Sequence, residues 1–533
     1  MSIDAEFPRD SAATLNPSQD EDIPIDGSSK EVELASKNKQ HTVIHFAPDD
    51  PALAHNWSKG KKVYTSMLMV AMTLNSTFSS SMPSGCINDL AQHFNVTNEL
   101  QLVLPISVFL IGYIIGPLFL SPLTEIYGRA LVLKVSWFSY VCWSLGAPLA
   151  PTWPGFLVFR LLAGTSASAP MSINGSVFAD LFKNAVTRGR AMAMFSAGTT
   201  IGPAIAPIIS GFAGRKSWRW PFWIITIVGG FTLVLEILFF PETFAPVILA
   251  KRAKKLRKEQ NREDIVAPLE VESVSLKEMY SVTLTRPILL LVQEPIVIVT
   301  CWYMALVYAI LYLFFEAYPL IFQGVYHMAP GIDGLPYIPI GLGACANYPV
   351  MALYDEHIKR KERKSATGEL TPEARRLGVA ALGGPCIVLT LFWLGWTSRE
   401  SIHWMCPIVS GVFFGLGMSL IFTSLMSYQT DIYGIYSGSC MAAAACLRSI
   451  AGALVPLAAH KMYNNLGIGW ASSLLGFIVV AMLPVPYILR RYAGAIRAIS
   501  PFYKSLVARE AEAAREAECR QEPASDDSKE YDA

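Results

Sequence analysis

The sequence predicts an all-α polytopic membrane protein, with twelve spanning helices in two six-helix bundles. Three observations carry this reading. The 533 residues are 52% hydrophobic and only 16% charged, with a mean hydropathy of +0.37; soluble proteins carry about a quarter charged residues. The charges crowd into roughly the first 60 residues, a stretch near 241–287, another near 355–376, and roughly the last 40. A spanning helix takes about 20 apolar residues, so the remainder holds about a dozen. The long charged stretch near 241–287 then divides them six and six. This composition excludes a soluble enzyme and a disordered scaffold, and a net charge of +1 argues against nucleic acid.

The spans fall at roughly 63–83, 100–121, 130–151, 155–177, 190–212, 219–240, 288–314, 331–353, 377–397, 403–426, 434–459 and 468–490. The first is rich in Ser and Thr. The eighth carries Pro336, Pro339 and Pro349, which a membrane helix tolerates where neighbours satisfy the freed carbonyls. The polar, acidic N-terminus has no apolar core, so no cleavable signal peptide is expected and the first span acts as its own insertion signal. Lys and Arg set the orientation. Lys59, Lys61, Lys62, Arg129, Lys183, Arg188, Arg190, the run from Lys251 to Lys258, the run from Lys359 to Lys364, Arg490 and Arg491 all fall on one side. That side is expected to be cytoplasmic, with both termini on it. The expected organisation is a disordered cytoplasmic tail (1–60), a first bundle (61–243), a cytoplasmic central loop (244–287), a second bundle (288–491) and a cytoplasmic C-terminal tail (492–533) containing a short helix near 502–517.

The halves show self-similarity. GRAMAMFSAGTTIGPAIAPI from Gly189 aligns without a gap on GSCMAAAACLRSIAGALVPL from Gly438, matching Met192 with Met441, Ile201 with Ile450 and Pro207 with Pro456. These are the fifth spans of each half, as a parallel duplication predicts. Small-xxx-small pairs (Gly112/Gly116, Gly198/Gly202, Gly411/Gly415, Gly434/Gly438) let helix backbones approach closely, for plain packing or for gating. The chain carries no phosphate-binding G-x-x-x-x-G-K-[ST] loop, no H-E-x-x-H and no G-x-S-x-G, so neither an enzyme nor an ATP-driven pump is expected. Nine cysteines without a C-x-x-C pair, and histidines scattered at loops and span ends, indicate no disulfide framework, metal or cofactor.

Several segments carry a resemblance to the major facilitator superfamily, and within it to the fungal twelve-span drug:proton antiporters, over about residues 46–503. FAPDDPALAHNWSKGKK precedes the first span, with Trp57 suited to a water–lipid interface. GPLFLSPLTEIYGRALVL, with Gly116, Glu125, Gly128 and Arg129, is similar to the signature loop between spans two and three. There Gly128 permits a tight turn, Glu125 can face a helix N-terminus and Arg129 can pair with a carboxylate. Ile126 and Ala130 stand where basic residues are expected. FLVFRLLAGTSASAPMSING matches the membrane arginine with Arg160, while Ala163 stands in place of a frequent Gln. GTTIGPAIAPIISG resembles the antiporter motif through Gly198, Gly202 and Pro203, with Ala206 replacing a glycine and Pro207 following. Pro241, Glu242 and Thr243 match the stop after the sixth span.

The resemblance implies an exporter of amphiphilic small molecules (drugs, toxins or secondary metabolites) by alternating access and proton antiport. It also implies a monomer in the plasma or vacuolar membrane whose partners are substrate, protons and lipid. An importer of an organic acid, amine or nutrient on the same fold is the alternative, and a non-transporting membrane receptor a more distant one. Arg160, Asn75, Asn174, Trp302, Tyr303, Tyr308 and Tyr428 are expected to line a central cavity, with Arg448 a second buried cation. Arg160 has two readings, a substrate or proton residue and a structural staple. The first span holds no carboxylate, so Glu236, Glu294 and Glu316 are the candidates for proton coupling, with Glu294 read as two turns into the seventh span. Asn95 opens an Asn-Val-Thr glycosylation acceptor in the first outside loop.

Overall fold

The computed structural model describes residues 42–44, 46–47, 49–261, 264–271, 276–329, 331–364, 372–433, 436–500 and 504. Helix caps follow the sequence closely. α1 (Lys59–Ser81) starts behind Ser58, whose hydroxyl accepts from Lys61 N, and α2 (Glu99–Tyr127) behind Asn98, which accepts from Leu100 N. α3 (Arg129–Gly146) follows Gly128, whose φ of 91° makes the turn. α4 (Trp153–Leu181) begins at Thr152 with Pro154 in its first turn and is interrupted at Ser168. α5 (Ala185–Gly214) starts behind Asn184, and α6 (Arg219–Phe239) closes the first half.

The second half comprises α7 (Pro295–Tyr318, prolonged by a π-helical stretch Pro319–Val325), α8 (Ile338–Lys364), α9 (Pro372–Thr397), α10 (Met405–Tyr433) and α11 (Ser437–Leu454). A helix Ala459–Met482 follows. It breaks at Gly467 (φ 74°), so its first part prolongs α11 beyond Pro456, and we call the part after Gly467 α12. The seventh span differs from expectation. The apolar run 288–314 is not one helix: a separate helix Leu276–Gln293 ends at Glu294, and α7 starts at Pro295. Proline disfavours helical geometry in the residue before it and suits the first helical position.

Nine stretches among the described residues are long and apolar enough to cross a membrane by composition. α1 falls short because its inner face is polar, burying Thr65, Ser66, Thr73, Asn75, Ser76, Thr77, Ser79, Ser80 and Ser81, and α8 because Gly, Pro and Asn347 dilute its apolar part before the charged run from Asp355. The stretch Ser437–Tyr492 holds two spans. The outer surfaces are apolar, as hydrocarbon requires: α6 exposes Ile227 (65%), Phe231 (65%) and Leu238 (67%) along one face.

The helix packing repeats with an offset of six. α1 packs on α5 as α7 on α11, α2 on α4 as α8 on α10, and α3 on α6 as α9 on the helix containing α12. The halves meet where α2 crosses α11 and α5 crosses α8. This is the two-bundle architecture the duplication predicted.

The described residues that lead into α1 pair with the segment between the halves. β1 (Thr42–Val43) pairs in parallel with β2 (Ile265–Val266) from the segment between the halves. Ile44 and Phe46 pack against Leu249, Ala253, Ile265 and Ala267, on and beyond the helix Ala245–Gln260. Arg252 reaches Asp50 at 2.5 Å, and Arg257 grips Glu270 at 2.6 and 2.9 Å. The Ala52 backbone N–H and then Arg252 hold the Asp50 carboxyl below its ordinary range, and Arg257 does the same for Glu270. Trp57 is buried under Lys61, whose Nζ lies 3.7 Å from the ring centroid, rather than facing lipid. The tail helix expected near 502–517 lies outside the described residues.

Candidate functional site

The interface between the bundles is polar at its centre. Ser107 on α2 donates to the Ala453 carbonyl on α11 at 2.8 Å, and Asn347 on α8 donates to Ala193 on α5 at 3.3 Å. One face of α5 meets the second bundle: Ser196 donates to Ser419 O at 3.1 Å, and Thr200 meets the Ser419 hydroxyl at 3.2 Å. Gly198 and Gly202 point the other way. A Cβ on Gly202 would lie 2.1 Å from Thr77 Oγ1 and 2.8 Å from Leu74 O, so this motif serves close packing on α1 inside the first bundle, not sliding against the partner half.

Arg160 is 2% exposed and fully engaged. Its guanidinium donates to the carbonyls of Pro105 (3.0 Å), Ser79 (2.9 Å) and Ser80 (2.9 Å) and stacks over Phe109 at 4.3 Å. The cause is local. Pro83 has no N–H to offer Ser79 O, and Ser80 O sits in the last turn of α1, whose carbonyls lack intrahelical partners. A cation at that helix C-terminus also opposes the dipole favourably. The arrangement is the staple reading of Arg160.

A chain of hydroxyls crosses from here into the second bundle. Ser80 Oγ lies 2.6 Å from Tyr312 OH, and Tyr312 OH lies 3.2 Å from Tyr308 OH. The Tyr308 ring stacks on Phe422, and the Arg448 guanidinium sits over both, 5.6 and 5.1 Å from their centroids. Arg448 is also 2% exposed, yet its Nε and Nη1 donate to nothing. In the first bundle, Asn75 Oδ1 accepts from Tyr140 OH at 3.0 Å while its Nδ2 is unpaired; Asn174 Nδ2 is likewise buried and unpaired. Tyr312, Ser80 and Phe422 were not expected at the site: Tyr312 lies one turn from Tyr308 on the same face of α7, while Ser80 on α1 and Phe422 on α10 carry no such signal.

On the face that carries the basic helix Ala245–Gln260, charges close the gap between bundles. Asp431 at the end of α10 binds Arg188 of α5 and, at 3.3 Å, Arg376 of α9. Arg129 pairs with Asp180 at 3.1 Å. The carboxylate facing the N-terminus of α3 is Glu242, not Glu125, which is exposed. Glu242 accepts from the backbone N–H groups of Arg129, Ala130, Thr243 and Phe244, and so caps α3 and the helix Ala245–Gln260 together. A Cβ on Gly128 would lie 2.3 Å from Glu242 Oε2. Glu242→Ala is therefore expected to cost about 2–3 kcal/mol, twice a typical cap, read as a lowered melting temperature of the purified protein. Gly128→Ala should act in the same direction.

The opposite face opens into a vestibule of about 950 Å³ between the bundles, lined by Asp89, Glu99 and Arg215 on one side and Glu316, Asp333 and His460 on the other. His460 reaches Glu316 at 3.5 Å and Glu99 at 4.0 Å. Ile106 and Phe315 lie on its floor, and Phe315 meets Tyr312 edge-on at 5.4 Å. One ring thus separates the vestibule from the central hydroxyl chain.

Other expected site residues lie elsewhere. Trp302 is 58% exposed on the outer side of α7, away from the central seam. Tyr303 points into the second bundle beside Gly384 and Leu483. Tyr428 is buried on α10. Glu294 stands just before α7, not in its second turn, and its carboxylate accepts from Tyr433 OH (2.9 Å) and Ser500 Oγ (2.5 Å) rather than capping the helix. Glu236 is buried on α6, within the first bundle, with neither oxygen hydrogen-bonded. On α2, Gly116 packs against Ser168 and Thr165; on α5, Pro203 and Pro207 are accommodated inside the helix. Pro241 and Thr243 flank the capping Glu242. Asn95 is exposed, in the left-handed conformation that ends the helix Ile87–Phe94.

A sequence model of the Major Facilitator Superfamily matches residues 65–456. The chain is 34% identical over 485 residues to the major facilitator superfamily multidrug transporter FLU1 of Candida albicans, covering 90% of this chain and 79% of that protein. It is 37% identical to the efflux pump FUB11 of Gibberella moniliformis, over 85% and 76% of the two chains. Among solved structures it is similar to the proton:xylose symporter XylE, with a TM-score of 0.60 and 17% identity over 82% of this chain and 96% of that one, a likeness of fold.

Proposed function

The chain belongs to the major facilitator superfamily, and from that premise we propose that it exports amphiphilic small molecules by alternating access, driven by proton antiport. One observation carries the reading. A buried, polar, cation-bearing seam lies between two bundles, sealed by ion pairs on the basic face and reached from a vestibule on the other. Such a seam suits a site exposed alternately to each side as the halves rock. Export as the direction rests on the two relatives named as a multidrug transporter and an efflux pump.

The basic face is the cytoplasmic one under the positive-inside rule, with both termini there. The bundles are assigned to 61–243 and 288–491, and the protein works as a monomer in the plasma membrane. The substrate path runs along Asn75, Tyr308 and Arg448, with Asn174 nearer the cytoplasmic face. We assign proton exchange to Glu316, because it lines the open vestibule, whereas Glu294 is buried and accepts two hydroxyl hydrogen bonds. Asn95 is a glycosylation acceptor on the outer face.

The test uses inside-out vesicles from cells expressing the full chain, an acidified lumen and a panel of amphiphilic dyes. Dye should accumulate inside and leak back when a protonophore collapses the gradient. Accumulation in right-side-out vesicles instead would establish the importer.

A further inference from the structure

Two guanidiniums are buried to the same degree, and their surroundings differ. Arg160 meets three backbone carbonyls, all within 3.0 Å. Arg448 has two buried donors, Nε and Nη1, without an acceptor, and none of the ion pairs among the described residues includes it. A buried cation without a counter-ion is costly, because its desolvation is not repaid by pairing. The Tyr308 and Phe422 rings offset part of that through their negative faces. They do not use the N–H fork, which suits an oxyanion bound through parallel hydrogen bonds.

Arg448 also sits on the substrate seam. It lies on α11, the helix that crosses α2 of the other bundle. Its ring partner Tyr308 begins the hydroxyl chain to Ser80 in the first bundle. The stacked Tyr308–Phe422 pair offers a flat apolar wall beside the free donors. The vestibule beyond Phe315 has the opposite sign, with Asp89, Glu99, Glu316 and Asp333 against Arg215 and His460. A net negative lining opposes re-entry of an anion from open water.

We infer that Arg448 reads the charge of the transported molecule, and that the substrate class is an aromatic or alicyclic amphiphile carrying an oxyanion, its acid group on the Arg448 fork and its ring against Tyr308 and Phe422. This deepens the export reading and rests on it. A substrate that pairs with Arg448 in one state and not in the other supplies the differential binding that moves the equilibrium.

The test compares two dyes that share a ring system, anionic fluorescein and cationic rhodamine 123, by fluorescence anisotropy on the purified full chain in nanodiscs. Fluorescein should bind at least about tenfold more tightly than rhodamine 123, and Arg448→Gln should weaken fluorescein by about tenfold or more, in line with loss of a charge-assisted pair. Arg448→Lys should restore part of the affinity. Should Arg448→Gln fail to fold, competition on the wild type decides: benzoate should displace fluorescein where its neutral isostere benzamide does not. Equal binding of the two dyes, absence of fluorescein binding, equal competition, or wild-type fluorescein affinity in folded Arg448→Gln would each overturn the assignment. Rhodamine 123 pumped into inside-out vesicles by a protein that ignores fluorescein would overturn the anion site alone. Arg448-dependent fluorescein binding without pumping of any dye would overturn export and leave the site standing.

Discussion

Arg160→Leu is expected to lower the yield of folded protein severely, in addition to stopping transport. The guanidinium holds three carbonyls from two helices, α1 and α2, to α4. Leucine fills similar space and leaves all three without donors. A buried group left unsatisfied costs about 1–3 kcal/mol, and a hydrogen bond to a charged donor lies at the upper end, so the loss is on the order of 5 kcal/mol. That approaches the whole stability of many domains. The polar interior of α1 would open where Pro83 ends it. The measurement is the monodisperse fraction on size exclusion together with the melting temperature. Arg160→Lys should fall between, because an ammonium has donors for the carbonyls but not the planar fork that reaches from Pro105 to Ser80. If Arg160→Leu folded normally and lost transport only, Arg160 would be a substrate or proton residue and not the staple its geometry describes.

Asp431→Asn is the second large effect, and it acts on conformation. Asp431 is 7% exposed and is shared by Arg188 (18%) and Arg376 (3%), which come from opposite bundles. The amide removes the negative charge and leaves two cations facing each other. Removing one partner of a buried pair costs about 3–5 kcal/mol. Because the lost contact bridges the bundles, that cost falls on the state closed at the basic face. A shift of 3 kcal/mol is more than a hundredfold in population, at about 1.4 kcal/mol for each tenfold. The native Cys446, buried on α11 with its Sγ 3.7 Å from the Ile114 carbonyl of α2 in the other bundle, is a reporter. Its labelling by an impermeant maleimide added from the basic face should rise by at least about tenfold in Asp431→Asn. Unchanged labelling would mean that the Asp431 cluster does not hold that face shut.

The two predictions also separate what the sequence shows from what it hides. The span count and the duplication were legible, because hydropathy is local; the caps Ser58, Asn98, Thr152 and Asn184 are as local but were not read in advance. The break at Glu294–Pro295 was legible too, through the residue-before-proline rule, but the apolar run across 288–314 masks it. Trp302 and Tyr303 show a real limit. α7 is apolar all round, and no periodicity tells which side meets protein and which meets lipid. Nor does a buried arginine reveal its acceptors. The difference between Arg160 and Arg448 depends on carbonyls that Pro83 and the end of α1 release far away in the chain.

The parallel pairing of Thr42–Val43 with Ile265–Val266 has a mechanical meaning. It pins the connecting segment beneath the first bundle as far as Val271. Among the described residues beyond that point, the helix Leu276–Gln293 touches α2 on one side and α7 and α11 on the other. A helix packed on both bundles at once is a strut and not a slack leash, and one half cannot tilt against the other without moving along it.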